Sequence, residues 1–306
     1  MFKFIQITDS VKIAVLKALI YGEPGIGKTS LSFTAKKPLH LDFDKGLQRA
    51  CYRQTSVEIN SWEDVILLQN SKDFEAFAPD TLIMDTVGTM LDNYIAAYVK
   101  KENPKNAQTG GELSLKGYGA MKNIFNQFLN WAISKHINLI FLAHSTEEKQ
   151  ADKTKFIPKV TGGSYDIIRE KMDLIGYFES KDNKRMIDFA PRDTHIGKDC
   201  AEIGLVEVPS YKGLEYRTFM SDVLERTLTR MNSLSDNQTE IMNKIFMFES
   251  QLVQLTVEKC NGFIDTLKDE KDTAIQLQMF ELLKASADKV KITYDKNQKV
   301  FKNVQG

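Results

Sequence analysis

The stretch GEPGIGKT, residues 22–29, decides the fold of this chain. It matches G-x-x-x-x-G-K-[ST] and follows an apolar run at 15–21 that predicts a strand; a helix is predicted to begin near Lys28. Glycines let successive backbone N–H groups approach phosphate oxygens, and the positive end of the helix adds to the attraction. We therefore predict a phosphate-binding turn, the P-loop. Its predicted nucleotide-contacting residues are Gly22, Glu23, Pro24, Gly25, Ile26, Gly27, Lys28, Thr29 and Ser30.

Three polar side chains complete the predicted phosphate site. Lys28 is predicted to reach the β- and γ-phosphates, and the Thr29 hydroxyl to ligate Mg²⁺. Asp85 closes the apolar run 81–84, and a carboxylate at the carboxyl end of a parallel strand faces the ligand crevice. We predict that Thr29 and Asp85 form the metal site, with Asp85 behind the immediate ligands (the Walker B role). Asp85 can alternatively cap the helix after Thr86, which is compatible with that role.

The arrangement of apolar runs predicts the fold class. From residue 13 to about 210 they alternate with helical stretches, which is typical of a mostly parallel sheet flanked by helices. From about 216, Pro and Gly almost vanish and apolar residues recur at helical spacing. We predict an α/β core at 1–215 and a C-terminal α-helical region at 216–306. That region either packs against the core or a neighbouring subunit, or binds DNA or an adaptor. The predicted strands are 15–21, 39–43, 81–85, 137–143, 173–179, 185–189 and 201–208.

Composition narrows the functional classes. Lys+Arg and Asp+Glu are both 41, and this zero net charge argues against gross electrostatic capture of nucleic acid, although a local basic loop can still bind it. No apolar run approaches the roughly 20 residues that span a bilayer, and residues 1–10 lack the layout of a signal peptide. Cys51, Cys200 and Cys260 are isolated, which predicts buried structural thiols in a reducing compartment. We expect a cytoplasmic protein.

The segment LDFDKG, residues 41–46, carries a family resemblance. Asp85 is followed by Thr86 rather than by the water-activating Glu usual in AAA+ and helicase-type enzymes, which argues against that class. The chain instead resembles the RecA-like ATPases, which place a catalytic Glu at the end of the strand after the P-loop helix, in a D-x-E pattern. Asp44 occupies the Glu position, so the resemblance implies that Asp44 activates water with a shorter arm. The alternative is a turn or cap residue before Gly46.

The fourth predicted strand ends at His144. RecA-like proteins carry a polar residue there that senses the γ-phosphate and couples it to a DNA-binding loop. The resemblance implies that sensor role for His144, since a neutral imidazole can donate one hydrogen bond to phosphate; the alternative is a histidine satisfied at a strand end. The lysine-bearing stretch 147–165 resembles the family's second DNA loop, or is a solvated surface loop, and 100–118 lies where the first DNA loop is found.

A basic residue from a neighbouring subunit completes the ATP site in RecA-like assemblies, often within K-x-R or K-x-K. Lys198 resembles the first member, but Cys200 stands at the second position. Arg192 is an alternative, and either residue can be a surface cation.

Residues 13–210 as a whole resemble the compact RecA-like nucleotide-binding proteins of phages, including the ATP-dependent single-strand annealing branch. The resemblance implies an oligomeric, Mg²⁺-dependent ATPase with ATP between subunits, acting on single-stranded DNA in annealing, recombination or replication. One alternative is a nucleotide-gated binding or switch protein with little hydrolysis. Another is a P-loop kinase, although residues 145–198 hold only three arginines where an Arg-rich lid is expected.

Overall fold

The computed structural model describes residues 9–150, 153–160 and 163–304. Residues 1–8, which carry most of the signal-peptide prediction, lie outside the described residues, as do 151–152 and 161–162 of the predicted second DNA loop. The chain divides into a large compact unit, 13–231, and a smaller one that combines residues 9–12 with 232–304.

The large unit alternates strands and helices. Its strands are β1 (Lys17–Gly22), β2 (Pro38–Asp42), β3 (Ser56–Glu58), β4 (Thr81–Asp85), β5 (Asn138–Gln150), β6 (Lys153–Pro158), β7 (Leu174–Lys181), β8 (Lys184–Asp188), β9 (Lys198–Asp199) and β10 (Leu205–Val208). Its helices are α1 (Lys28–Ser32), α2 (Trp62–Gln69), α3 (Lys72–Phe77), α4 (Val87–Thr89), α5 (Ala96–Glu102), α6 (Leu115–Ser134), α7 (Gly163–Lys171) and the first part of α8 (Phe219–Gln251). A π-helical turn, Met90–Ile95, joins α4 to α5.

A mostly parallel sheet organises this unit. Among the described residues its strand order is β10-β8-β7-β1-β5-β4-β2-β3, with β6 paired to β5 and β9 to β7. The strands from β7 to β3 in that order are parallel, so their carboxyl ends meet at one edge. The register sets Gly22 opposite His144 and Asp42 opposite Asp85. The fold is therefore α/β, and the sheet brings the end of β1 together with the ends of β2, β4 and β5.

Both faces of the sheet are buried. Leu19 and Tyr21 of β1 belong to an apolar cluster that includes residues of α2, α5 and α6. The alternate residues Ala18 and Ile20 pack on the other face with residues of α1 and the start of α8. Strands buried on both faces read as continuous apolar runs, which explains why the parallel strands could be predicted closely.

The predicted loop at 147–165 is wrong. β5 continues past the predicted end at 143 and forms an antiparallel hairpin with β6, and α7 begins at Gly163. The extension is stabilised by cross-strand hydrogen bonds and by Phe156, whose ring stacks on Tyr177 at 5.3 Å between centroids. Polar residues dominate the hairpin, so its sequence lacks the apolar alternation by which a strand is predicted.

The predicted loop at 100–118 is wrong at both ends, where the structure has helix instead of loop. Lys100 and Lys101 belong to α5, and α6 begins at Leu115 after the Ser114 cap, whose side chain accepts the Gly117 N–H. A 3-10 turn, Pro104–Asn106, lies in the remaining connection. Both helices contribute to the core, since Val99 of α5 and Gly117 of α6 are buried.

The predicted core boundary at 215/216 differs from the division between the compact units. That division falls inside α8, whose first turns bury Met220 and Val223 in the large unit. The two-domain organisation stays a prediction.

The small unit has its own apolar cluster, which includes Phe248, Leu283 and Phe301. It contains the rest of α8, α9 (Val257–Lys268), α10 (Thr273–Lys289) and an unpredicted antiparallel hairpin of β11 (Ile292–Asp295) and β12 (Val300–Asn303). Cys260 is buried, whereas Cys51 and Cys200 are exposed, contrary to prediction. No helix in the described ranges has the length and apolarity to cross a membrane.

Candidate phosphate-binding site

The P-loop joins β1 to α1 through backbone that demands glycine. Gly25 and Gly27 have positive φ values of 83° and 103°, which residues with side chains rarely adopt. At Gly22 the limit is space, because a Cβ would lie 2.2 Å from the carbonyl oxygen of Phe178. The glycines predicted from the motif therefore occupy positions where the backbone geometry requires them.

Lys28 is a buried cation at the start of α1. Its side chain folds back so that Nζ donates to the carbonyl oxygens of Gly22, at 2.9 Å, and Glu23, at 2.8 Å. Burial lowers the pKa of Lys28 to about 8, against the opposing pull of Asp85 and Asp44. Neutral carbonyl groups hydrogen-bond this ammonium, and a phosphate anion would compensate its charge.

Thr29 and Asp85, the two residues of the predicted metal site, are in direct contact. The Thr29 hydroxyl donates to Asp85 Oδ2 at 2.6 Å, and His40 Nε2 lies 3.3 Å from the same oxygen. Burial alone would raise the pKa of Asp85, but the hydrogen bonds from His40 and Thr29 outweigh it and hold the pKa below its usual value. Asp85 is thus a buried, ionised carboxylate.

Asp44 lies beside both Thr86 and His144. The Thr86 hydroxyl donates to Asp44 Oδ1 at 3.3 Å, and His144 Nε2 lies 3.8 Å from Asp44 Oδ2. Asp42, the other carboxylate of the D-x-D pattern, instead accepts the backbone N–H of Gly46. Thr86, which stands where a Glu is usual in AAA+ enzymes, is therefore hydrogen-bonded to the candidate base.

His144 is held in a form that can donate one hydrogen bond. Burial lowers its pKa, and the Lys28 charge lowers it further, against the opposing effect of Asp44. The imidazole is therefore neutral at neutral pH. Within the described residues, its buried Nδ1 has no hydrogen-bond partner.

These side chains line a cavity of 480 Å³. Six of the nine predicted contact residues line it: Pro24, Gly25, Gly27, Lys28, Thr29 and Ser30. The Ser30 hydroxyl, however, accepts the backbone N–H of Cys51. In the described part of the chain no group of three or more His, Cys, Asp or Glu is arranged to hold a metal alone. A Mg²⁺ ion bound here would therefore need phosphate oxygens as well, which is usual for this ion.

Two arginines near the P-loop were not predicted. Arg49 lines the 480 Å³ cavity. A Cβ on Gly27 would lie 3.3 Å from Nη1 of Arg185, so that guanidinium borders the turn. Arg49 follows β2 and Arg185 lies in β8, but the sequence holds no motif that marks either of them.

A second cavity, of 660 Å³, adjoins the P-loop and shares Gly25, Gly27 and Ser30 with the first. Arg185 and Tyr216 line it, and the guanidinium carbon lies 5.6 Å from the Tyr216 ring centroid. Tyr216 is fully buried, and its hydroxyl has no hydrogen-bond partner in the described part of the chain. Burial raises the pKa of Tyr216 to about 12, against a smaller opposing effect of Arg185.

Lys198 does not join this cluster. It lies in β9 opposite Ile175, three residues before Phe178, which is the partner of Gly22. At about 3.3 Å per residue, this puts Lys198 about 10 Å back along the sheet from the P-loop. Arg192 is held by Asp188, with Nε 2.9 Å from Oδ2. A role for either residue in a neighbouring subunit stays a prediction.

Comparisons with known proteins agree with the phosphate site. The family model AAA_24, described as an AAA domain, matches residues 14–201. The SPbeta prophage-derived uncharacterized protein YorG of Bacillus subtilis (strain 168) is 30% identical over 169 residues, which cover 53% of this chain and 50% of that protein. The chain thus spans about half the length of this curated relative. The AAA description runs against the argument from Thr86, which had weighed against an AAA-type class.

Proposed function

The chain belongs to the AAA_24 family of AAA domains, and from that premise we propose that it is a Mg²⁺-dependent ATPase of RecA-like type. Membership indicates nucleotide binding and ATPase activity. The observation that carries the finer proposal is the cluster of Lys28, Thr29 and Asp85 at the 480 Å³ cavity, where a buried cation and a buried carboxylate share one edge of the sheet.

The triphosphate binds against the P-loop, where Lys28 contacts the β- and γ-phosphates. On binding, its Nζ exchanges the carbonyl oxygens of Gly22 and Glu23 for phosphate oxygens, which compensate its charge. Thr29 and Asp85 are the residues that would hold Mg²⁺ beside the phosphates. When bound, the ion neutralises charge that develops on the phosphate oxygens.

The base and ribose extend into the 660 Å³ cavity. Its continuity with the phosphate cavity through Gly25 and Gly27 supports this position. The Tyr216 side chain lines this cavity, and Arg185 supplies a cation beside the P-loop.

Asp44 orients the attacking water and accepts a proton from it. The Thr86 hydroxyl donates to Asp44 Oδ1, while Oδ2 lies 3.8 Å from His144 Nε2, and Asp44 lines the 480 Å³ cavity. His144, neutral and close to Asp44, donates a hydrogen bond to the γ-phosphate. The Thr86 hydroxyl thus holds the Asp44 carboxylate, and His144 borders it at the cavity.

We propose single-stranded DNA as the partner, with activity in annealing, recombination or replication and with ATP between the subunits of an oligomer. The support is local: Lys149 and Lys159 are exposed on the β5–β6 hairpin and just after it, and the Lys159 N–H donates to the His144 carbonyl oxygen at 2.7 Å. A shift of His144 on γ-phosphate would therefore reach the base of the hairpin directly. The relative's name, a prophage-derived protein, is compatible with this role.

The decisive experiment compares Lys28, at the start of α1 beyond the carboxyl end of β1, with Lys17, at the amino end of β1. Lys28→Ala is expected to weaken the binding of fluorescently labelled ATP by about 100-fold or more, because a buried charge-assisted contact is lost. Lys17→Ala, which removes a lysine paired with Asp173, is expected to leave ATP affinity unchanged. Normal ATP affinity in Lys28→Ala would refute the proposed function.

The DNA partner and the switch alternative need separate measurements. Steady-state ATPase is expected to rise with single-stranded DNA, and Lys149→Ala to reduce that stimulation more than Lys135→Ala, a surface control at the end of α6. Absence of DNA binding at low salt with Mg·ATP would count against the partner. A wild type that scarcely turns over, with Asp44→Asn unchanged, would favour the nucleotide-gated switch.

A further inference from the structure

His40 is a fully buried histidine on β2, the strand next to β4 in the sheet. Its ring packs against Phe33, with 5.0 Å between ring centroids. The ring bridges two polar groups on opposite sides. Nδ1 lies 2.7 Å from Ser56 Oγ, and Nε2 lies 3.3 Å from Asp85 Oδ2. Both nitrogens of a buried imidazole are thus engaged, one of them by the candidate metal-site carboxylate.

The chemistry of Asp85 fixes the direction of one of these hydrogen bonds. An ionised carboxylate only accepts, so Nε2 carries the hydrogen that faces Asp85. Ser56 Oγ contacts the opposite nitrogen of the ring, Nδ1. The result is a chain of polar contacts from the edge strand β3 through β2 to β4, with Asp85 Oδ2 also accepting from Thr29.

We propose that His40 is a positioning residue that holds Asp85 in the rotamer needed to support Mg²⁺ in the nucleotide complex, and that Ser56 fixes the His40 ring. The inference rests on the proposed nucleotide site, and it adds a role for two residues that the P-loop pattern does not include. If Thr29 were to ligate Mg²⁺, its hydroxyl would no longer be available to Asp85, and the hydrogen bond from His40 would be the one that limits rotation of the carboxylate. Buried partners of this kind commonly alter metal affinity by 10- to 100-fold.

A second buried His–Asp contact provides the control. His195 Nε2 lies 3.6 Å from Asp188 Oδ2. In the described part of the chain, His195 Nε2 has no hydrogen-bond partner. Asp188 instead accepts the side chain of Arg192. His195 is nearly as buried as His40 but lies away from the 480 Å³ cavity, so its substitution tests burial without touching Asp85.

The test is Mn²⁺ affinity of the full-length protein saturated with ADP, measured by electron paramagnetic resonance of free Mn²⁺. His40→Phe keeps the ring but removes the donor and is expected to weaken Mn²⁺ binding about tenfold. His40→Gln, whose amide can donate near the position of Nε2, is expected to restore affinity to within about threefold of wild type. His195→Phe is expected to leave Mn²⁺ affinity unchanged. ADP affinity in EDTA is expected to stay the same in all three variants.

Two outcomes separate the proposals. If the wild type binds neither ADP nor Mn²⁺·ADP, the proposed function itself fails. If the wild type binds both and His40→Phe binds Mn²⁺ equally well, the positioning role is overturned. Ser56→Ala, a small change on an edge strand, covers the case in which His40→Phe does not fold. A several-fold loss of Mn²⁺ affinity in Ser56→Ala supports the proposed positioning role of Ser56 and His40. Wild-type Mn²⁺ affinity in Ser56→Ala rejects it.

Discussion

A lysine and an aspartate lie near each end of β1, but their hydrogen bonds differ between the two ends. At the amino end, Lys17 Nζ lies 2.8 Å from Asp173 Oδ2, and that carboxylate also accepts the Lys17 backbone N–H. At the carboxyl end, Lys28 is bonded to the carbonyl oxygens of Gly22 and Glu23. Asp85, nearby, accepts from the Thr29 hydroxyl and from His40 Nε2 rather than from that lysine.

The difference shows how one sheet separates stability from ligand binding. Charges that neutralise each other, as at the amino end, contribute to the folded state and leave little for a ligand. The charges at the carboxyl end are buried without direct pairing, which is costly unless a ligand compensates them. We therefore expect substitutions at the carboxyl end to change binding and turnover, and equivalent substitutions at the amino end to change only stability.

The largest expected contrast concerns turnover. Asp44→Asn removes the proposed base and is expected to lower the ATPase rate constant by about 100-fold or more, with ATP affinity nearly unchanged. Asp173→Asn, the matched change at the other end, is expected to leave the rate constant unchanged. Steady-state kinetics with Mg·ATP measures both. An equal loss of rate in the two variants would break the comparison.

The pH dependence of ATP affinity gives a second contrast. Since burial lowers the pKa of free Lys28 to about 8, the free lysine loses its proton above that pH, whereas bound phosphate favours the charged form. ATP affinity is therefore expected to fall as pH rises above about 8, with a limiting slope of tenfold per pH unit. Fluorescence titration from pH 7 to 9.5 measures the slope.

The same pKa predicts the opposite sign for stability. The unfolded lysine titrates near 10.4, so between about 8 and that pH the unfolded state binds more protons, and this group makes the free energy of unfolding rise with pH.

The Lys28→Arg variant tests whether Lys28 is the titrating group. Because arginine stays charged, the decline in ATP affinity above pH 8 should disappear in this variant. Lys17→Ala should retain it, and a decline that persists in Lys28→Arg would assign the titration to another group.

A smaller effect is expected at the far end of the proposed nucleotide site. Tyr216→Phe removes only the unpartnered hydroxyl, so loss of one hydrogen bond to the base or ribose should weaken ATP binding by about two- to tenfold. Inorganic triphosphate, which has no nucleoside, should bind equally to variant and wild type. Calorimetric titration with both ligands makes the comparison. An equal loss for both would put Tyr216 beside the phosphates instead.

Most of the carboxyl end could be predicted from the sequence because its signals are local. The P-loop glycines are dictated by backbone geometry, and the runs before Asp85 and His144 are apolar because those strands are buried on both faces. Once the strands are parallel, their ends must share an edge. That reasoning brought Asp44, Asp85 and His144 together without knowledge of distances.

What could not be predicted depends on pairing between distant segments. His40 reads as one more residue of a buried strand, and only the β2–β4 packing brings its ring to Asp85. Arg185 and Tyr216 reach the P-loop from strands and turns more than 150 residues away. The polar β5–β6 hairpin has no apolar alternation, so its exposed charges resembled those of a loop.

The smallest effect belongs to the amino end and concerns stability alone. Lys17→Ala removes an ion pair whose side chains are 16% and 21% exposed, so solvent screens it only in part. The expected loss is about 0.5 to 1 kcal/mol in the free energy of unfolding, because the Asp173 carboxylate still accepts the backbone N–H of residue 17. Urea denaturation of Lys17→Ala, Asp173→Asn and the double variant measures the coupling between the two side chains. A coupling near zero would mean that the backbone contact alone stabilises this end. A loss of ATP affinity in any of the three would contradict the separation between the two ends of β1.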